Sequence, residues 1–169
     1  MLFPYNRAAA IYRSRADRSN VEMTDGTKLA MLRTRSYSMG LSINGRPLTA
    51  GQIFWPPNFE KESEINDPGP SQLFEFLDDH ESSIFRGSAF GILPPGWERF
   101  IATAWWSVPA DRHSQGCNLS FADGHVEHWH WAAPKPVTIP KIGATEIGGA
   151  ADMKDFRRVQ AAVRPETRF

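Results

Sequence analysis

Apolar and polar positions alternate along Cys117-Asn-Leu-Ser-Phe-Ala-Asp-Gly-His-Val-Glu-His-Trp-His-Trp131, and Asp123-Gly124 interrupts that run near its middle. Period-two alternation marks a half-buried strand, and Asp-Gly between two such runs is a strong hairpin signal. A two-residue type I′ turn needs positive φ at both central positions, which Asp and Gly tolerate best. Counting outward from that turn pairs Ala122 with His125, Phe121 with Val126, Ser120 with Glu127, Leu119 with His128, Asn118 with Trp129 and Cys117 with His130. The register places Leu119, Phe121 and Val126 on a core face, with Cys117, His128 and His130 at its open end. Asn118, Ser120, Ala122, His125, Glu127 and Trp129 fall on the wetter face.

Elsewhere the pattern predicts fewer regular elements. Residues 8–18 fit a short helix or an extended segment, and neither period wins. The polar stretch 19–28 contains a second turn signal, Asp25-Gly26. Strands are expected over Arg33–Met39, Leu73–Leu77, Ser88–Leu93 and Phe100–Val108, the last three ending at Asp78-Asp79-His80, Pro94-Pro95-Gly96 and Pro109. Gly40 to Gly51 reads as an excursion off the sheet, and Pro56 to Pro70 as a solvated loop. After Trp131 a Pro-rich and then Gly-rich stretch suits an extended surface crossing. Asp152–Val163 closes as an amphipathic helix with Asp152 as its cap and Met153, Phe156, Val159, Gln160 and Val163 on one stripe.

Composition narrows the class. The chain has 169 residues, enough for one domain with a real core. Six Trp and eleven Phe beside 13 Gly and 13 Pro favour a turn-rich fold containing β-structure over a helical bundle. Nineteen basic residues balance nineteen acidic ones, so no global field recruits nucleic acid or an acidic membrane. A single Cys excludes an internal disulfide. No run of about 18 apolar residues is present to span a membrane, and the first residues lack the layout of a signal peptide.

Candidate chemistry clusters near the hairpin. Four of the five His lie between positions 113 and 130. Cys117, His128 and His130, sharing a face in the expected register, are zinc-ligand types, although no H-E-x-x-H or C-x-x-C spacing accompanies them. Half-buried His satisfied by hydrogen bonds is the plainer account. Ser120, His125 and Glu127 would supply a hydrolase, with cross-strand Cβ atoms about 5 Å apart, but a flat strand lacks the sharp turn and oxyanion donors of acyl transfer. Asp78, Asp79 and Asp123 at strand ends offer the oxygens calcium needs, or simply cap their own turns. Trp105-Trp106, Trp129 and Trp131 suggest a stacking platform for a sugar. His113, just before the first hairpin strand, is placed to hydrogen-bond the loop around Asn118 or Asp123 and pin it to the sheet.

His113, nine intervening residues and Asp123-Gly124 give H-x9-D-G, carrying Phe121-Ala-Asp-Gly-His125. This resembles the C-terminal signature of the prepilin-like, type II secretion pseudopilin-related proteins abundant in Planctomycetes and Verrucomicrobia. Leu73-Phe-Glu-Phe-Leu-Asp-Asp-His-Glu-Ser-Ser-Ile84 is similar to that family's F-x-F-x-D-E-H-x-x-S-I segment, and Arg35-Ser-Tyr-Ser-Met39 to its R-S-Y-S-M-N strand. Asp155-Phe-Arg-Arg-Val-Gln160 resembles its closing helix. Ile11-Tyr-Arg-Ser-Arg-Ala-Asp17 is similar to a segment that usually reads Y-x-C-P-x-D, with Ser14 and Arg15 in place of Cys and Pro.

The resemblance implies an α+β, pilin-like globular domain over residues 1–169, with an antiparallel sheet, long surface loops and a short C-terminal helix after the crossing at 132. The family's N-terminal anchoring helix is expected to be absent. It further implies a non-catalytic subunit of a type II secretion or type IV pilus-like assembly in the cell envelope. Other pilin-like subunits would be its partners, without nucleic acid or membrane contact and without a cofactor. His113, Asn118, Phe121, Asp123, Gly124 and His125 would then form a fold signature. The alternatives are an extracytoplasmic domain binding calcium or carbohydrate, and a zinc-dependent hydrolase.

Overall fold

A computed structural model describes residues 7–23, 25–43, 58–84, 89–96, 103–135 and 144–165. The strands are β1 (Asn20–Glu22), β2 (Lys28–Leu32), β3 (Tyr37–Gly40), β4 (Phe74–Asp78), β5 (Ala89–Phe90), β6 (Gly116–Phe121) and β7 (Val126–His130). Among the described residues helix α1 (Ala150–Gln160) follows, and short 3-10 turns occupy Ala9–Tyr12 and Glu62–Glu64. Strands β5-β3-β4-β6-β7 form one sheet and β1-β2 a separate ribbon. All pairs are antiparallel except β3 with β5 at one edge. The fold is therefore roughly α+β, the coarse class that the resemblance implies.

The hairpin forms, but its register differs by one residue from the expected one. Ser120 pairs with Val126, Leu119 with Glu127, Asn118 with His128, Cys117 with Trp129 and Gly116 with His130. Phe121 N donates to His125 O at 3.0 Å, closing a three-residue loop of Ala122, Asp123 and Gly124. Gly124 takes φ +90° while Asp123 keeps a negative φ, so the turn is not type I′. Asp-Gly serves both loop lengths, because each needs a left-handed residue at the glycine. At the other end of β6, a Cβ on Gly116 would stand 2.3 Å from the Trp129 carbonyl oxygen, so only glycine admits this approach.

That one-residue slip exchanges the faces of β7. Cys117, Leu119, Phe121 and Trp129 join Phe74, Leu77, Phe156 and Val159 in the core. Val126, expected inside, is 66% exposed, and His128 and His130 point to the opposite side. Each fully buried large apolar side chain contributes about 1.5–3 kcal/mol relative to exposure, so the register that buries Trp129 in place of Val126 wins.

Helix α1 lies on the core face as its stripe predicts. Phe156 meets Trp105 edge-on at 5.0 Å, and the Gln160 amide donates to Leu93 O at 2.8 Å. Asp152 is inside the first turn and not its cap; Gly149 holds that position. The expected strand over Phe100–Val108 is absent from residues 103–108, where Trp105 makes an isolated bridge to Thr145. The Arg33–Met39 strand is confined to β3, and the Ser88–Leu93 strand to β5, while Asp25-Gly26 turns a ribbon whose strands the sequence did not announce. The excursion from Gly40 falls largely outside the described residues, whereas residues 58–70 are a mostly exposed loop carrying the 3-10 turn at Glu62–Glu64.

Candidate functional site

Three segments close over the Asp78 end of β4. The chain before β1 brings Ser14 and Asp17, the entry to β3 brings Ser36 and Tyr37, and the approach to β6 brings Arg112 and His113. Ser36 Oγ donates to Asp17 Oδ2 at 2.5 Å and accepts from Ser14 N at 3.3 Å. Ser14 Oγ lies 3.0 Å from His113 Nε2. Arg112 donates to Asp78 Oδ1, to Glu81 Oε2 at 2.7 Å and to the Asp79 carbonyl at 3.3 Å. Left-handed backbone at Ser114 and Gln115 (φ 52° and 57°) reverses the chain so that Arg112 and His113 lie beside β4.

The electrostatics follow from burial. Asp78 is fully buried; loss of water pushes its carboxyl up to about 7, against the pull of Arg112. Its Oδ2 makes no hydrogen bond, and His113 Nε2 stands 3.2 Å away. Burial and then Arg112 lower the His113 pKa, keeping the ring neutral. Asp79 points to other partners, Ser38 Oγ at 2.8 Å and Ser83 Oγ. Burial raises its carboxyl to about 7 against those two hydroxyl donors. Asp17 is held below its usual value: burial works against this, and the hydrogen bonds from Ser19 and Ser36 prevail.

Ser14, His113 and Asp78 are the residue types of an acyl-transfer triad, but their geometry is different. A triad imidazole uses one nitrogen toward the hydroxyl and the other toward the carboxylate. Here Nε2 alone faces both, and Ser14 is 2% exposed, beyond the reach of a substrate. The arrangement holds three chain segments together.

The other expected sites come apart. Cys117 is buried between β4 and β7 while His128 and His130 are exposed on the opposite face, so these three do not share a zinc ion. His128 instead bonds Asn118 Oδ1 at 3.1 Å, and burial holds the Cys117 thiol far above its ordinary pKa. Asp123 stands beyond Phe121, which pairs with Phe74 at the far end of β4 from Asp78. The two Asp at 78 and 79 also engage different partners, so the calcium set does not converge. No group of three or more His, Cys, Asp or Glu suited to a metal occurs among the described residues. Ser120 accepts from Phe76 N at 3.3 Å on the face opposite Glu127, which separates the hydrolase set. Trp105, Trp129 and Trp131 are core residues and Trp106 is half-buried, so the four do not form a shared exposed platform.

His113 turns to Ser14 and Asp78, while Asn118 bonds His128 and Asp123 lies beyond the far end of β6. Asp123 Oδ1 bonds His125 Nδ1 at 2.5 Å, and the His125 ring stacks on Phe121 at 4.4 Å. Donation to the Asp123 carboxylate raises the His125 pKa. The signature residues thus divide into a latch at one end of β6 and a turn at the other. Near the turn, Ile43, Phe59, Lys61, Glu75 and Ala122 border an open cleft of about 370 Å³; none of the expected site residues lines it.

Two arrangements escaped the sequence reading. Arg112 has no local signal beyond its place before His113. Lys135, in Ala-Pro-Lys-Pro on the expected surface crossing, is in fact buried. Its Nζ lies 2.7 Å from both Asp152 Oδ1 and Asp155 Oδ2. Lys135 would have been found only from its partners on α1. No protein-family model, curated protein or solved structure matches the chain.

Proposed function

We propose that the chain is a non-catalytic, pilin-like structural subunit of a type II secretion or type IV pilus-like envelope assembly. One observation carries this reading. Four segments that resemble the pseudopilin-related family meet at the Asp78 end of β4: Tyr12–Asp17, Arg35–Met39, Leu73–Ile84 and the His113 start of H-x9-D-G. Within that latch Ser14, Asp17, Ser36, Asp78, Arg112 and His113 bond or face one another. Residue types that would otherwise suggest catalysis are spent on joining segments, which suits a module whose work is to present a fixed surface. The α+β sheet with α1 packed on its core face is compatible with a pilin-like domain.

The test is the company the protein keeps. An epitope-tagged gene product would be cross-linked in the envelope of its source cells, purified and analysed by mass spectrometry. Pilin-like subunits should dominate the recovered partners. Recovery of the protein without any pilin-like partner would contradict the proposal.

A further inference from the structure

Lys135 is 3% exposed, and its Nζ lies 5.1 Å from the ring centroids of both Trp105 and Trp131. Lysine is rarely buried without paired charge. Here two nearly buried carboxylates flank the nitrogen, Asp152 Oδ1 and Asp155 Oδ2, each at 2.7 Å. They are not equivalent. Asp152 Oδ2 accepts from Trp105 Nε1 at 3.0 Å and from Gly148 N at 2.9 Å, two fixed donors aimed at one oxygen. Asp155 is oriented by the amides of Ala132 and Ala133 at 2.8 and 3.1 Å. A buried nucleophile, a carboxyl with two donors on its far oxygen and a second carboxylate beside the nucleophile are the parts of an acyl-transfer site.

We propose that Lys135 and Asp152 become joined by an intramolecular isopeptide bond formed by the chain itself. A proton first passes from the Lys135 ammonium to Asp152 Oδ1 across their 2.7 Å contact, a transient step because Lys135, Gly148 and Trp105 favour the Asp152 carboxylate. The Nζ lone pair attacks Asp152 Cγ, and the displaced π pair settles on Oδ2, facing Trp105 Nε1–H and Gly148 N–H. Asp155 takes a proton from Nζ and delivers it to Oδ1, which departs as water while the carbonyl at Oδ2 reforms. One C–N bond forms, one C–O bond breaks, one water leaves and no redox partner is needed. Lys135 is the nucleophile, Asp152 the electrophile and Asp155 the proton carrier. The product fastens the crossing after β7 to the first turn of α1, closing a loop across 17 positions of sequence.

The test is the intact mass of the purified full chain under denaturing conditions, with peptide mapping by tandem mass spectrometry. The expected mass is lower than the sequence mass by one water, with the Lys135 peptide linked to the Asp152 peptide. Lys135→Arg and Asp152→Ala should restore the full mass, and Asp155→Ala should leave much of the chain unlinked. A wild-type chain at full sequence mass with both peptides linear would overturn the proposal, and so would a link from Lys135 to any residue other than Asp152. The wild-type measurement decides the matter even where a variant fails to fold.

Discussion

Ser14 Oγ and His113 Nε2 stand 3.0 Å apart although 99 positions separate them in sequence. The contact fixes the segment before β1 onto the start of β6, directly over the buried Asp78. The histidine of H-x9-D-G is therefore a tie between distant parts of the chain, and the glycine of the same motif is a turn at the opposite end of the strand.

Removing the tie should cost stability. His113→Ala leaves the buried Ser14 Oγ without its facing nitrogen, a loss of about 1–3 kcal/mol. Urea unfolding should show a lower midpoint with an unchanged slope. Ser14→Ala should cost less, because the nitrogen it leaves belongs to a side chain that is 28% exposed and can reach water. Equal losses from both variants would contradict the assigned geometry.

Gly124→Val should cost about 1–2 kcal/mol, since a β-branched residue is forced into the left-handed region at φ +90°. Gly124→Asn should cost less, because Asn tolerates that conformation. Because no atom lies within 4 Å of the position a Cβ would take, the effect isolates backbone strain from crowding. An unchanged melting temperature for the Val variant would refute the turn.

The pH dependence carries a definite sign. Asp78 and Asp79 have folded pKa values near 7, raised by burial from 3.8. Between those values the folded state binds more protons than the unfolded one, so stability falls as pH rises. Their contribution is fully present below pH 4 and lost as pH passes 7. Asp17, held below 3.8, acts oppositely and loses its contribution only under stronger acid. Asp79→Asn should flatten the decline between pH 4 and 7 and raise stability at pH 8 by an amount on the order of a few kcal/mol. Unfolding curves at pH 4, 6 and 8 check this, and a steeper decline in the variant would contradict it.

Cys117 is fully buried with a thiol far above its usual pKa. A thiol reagent at pH 8 should label it only on unfolding, and neither zinc nor a chelator should shift the melting temperature. Rapid labelling of the native protein, or stabilisation by zinc, would reopen the metal reading.

Much of this was legible locally. The stripe from Met153 to Val163 defines α1 because helix periodicity is written within a few turns. Leu73–Leu77 marks a central strand because a compact apolar run stops at Asp78-Asp79. The hairpin was equally visible, but its register was not, since Asp-Gly fits loops of two or three residues. Trp129 and Trp131 share one phase of the alternation, and their bulk was the available cue that this phase, not that of Val126, faces the core. Tertiary contacts overrode strand propensity at Trp105-Trp106, where a buried indole serves Asp152. The latch and the Lys135 clamp were invisible because each is assembled from segments far apart in sequence, with no periodicity to announce their meeting.

The role proposed for this domain is assembly with other pilin-like subunits. The most direct measurement fuses it behind a pilin leader and apolar helix and expresses it beside a working assembly system. Sheared filaments are then separated from the envelope and probed for the domain. The account predicts that the fusion is processed and recovered in the filament fraction, and that His113→Ala reduces that recovery in proportion to its loss of stability. A processed, folded fusion that never enters the filament fraction would contradict it.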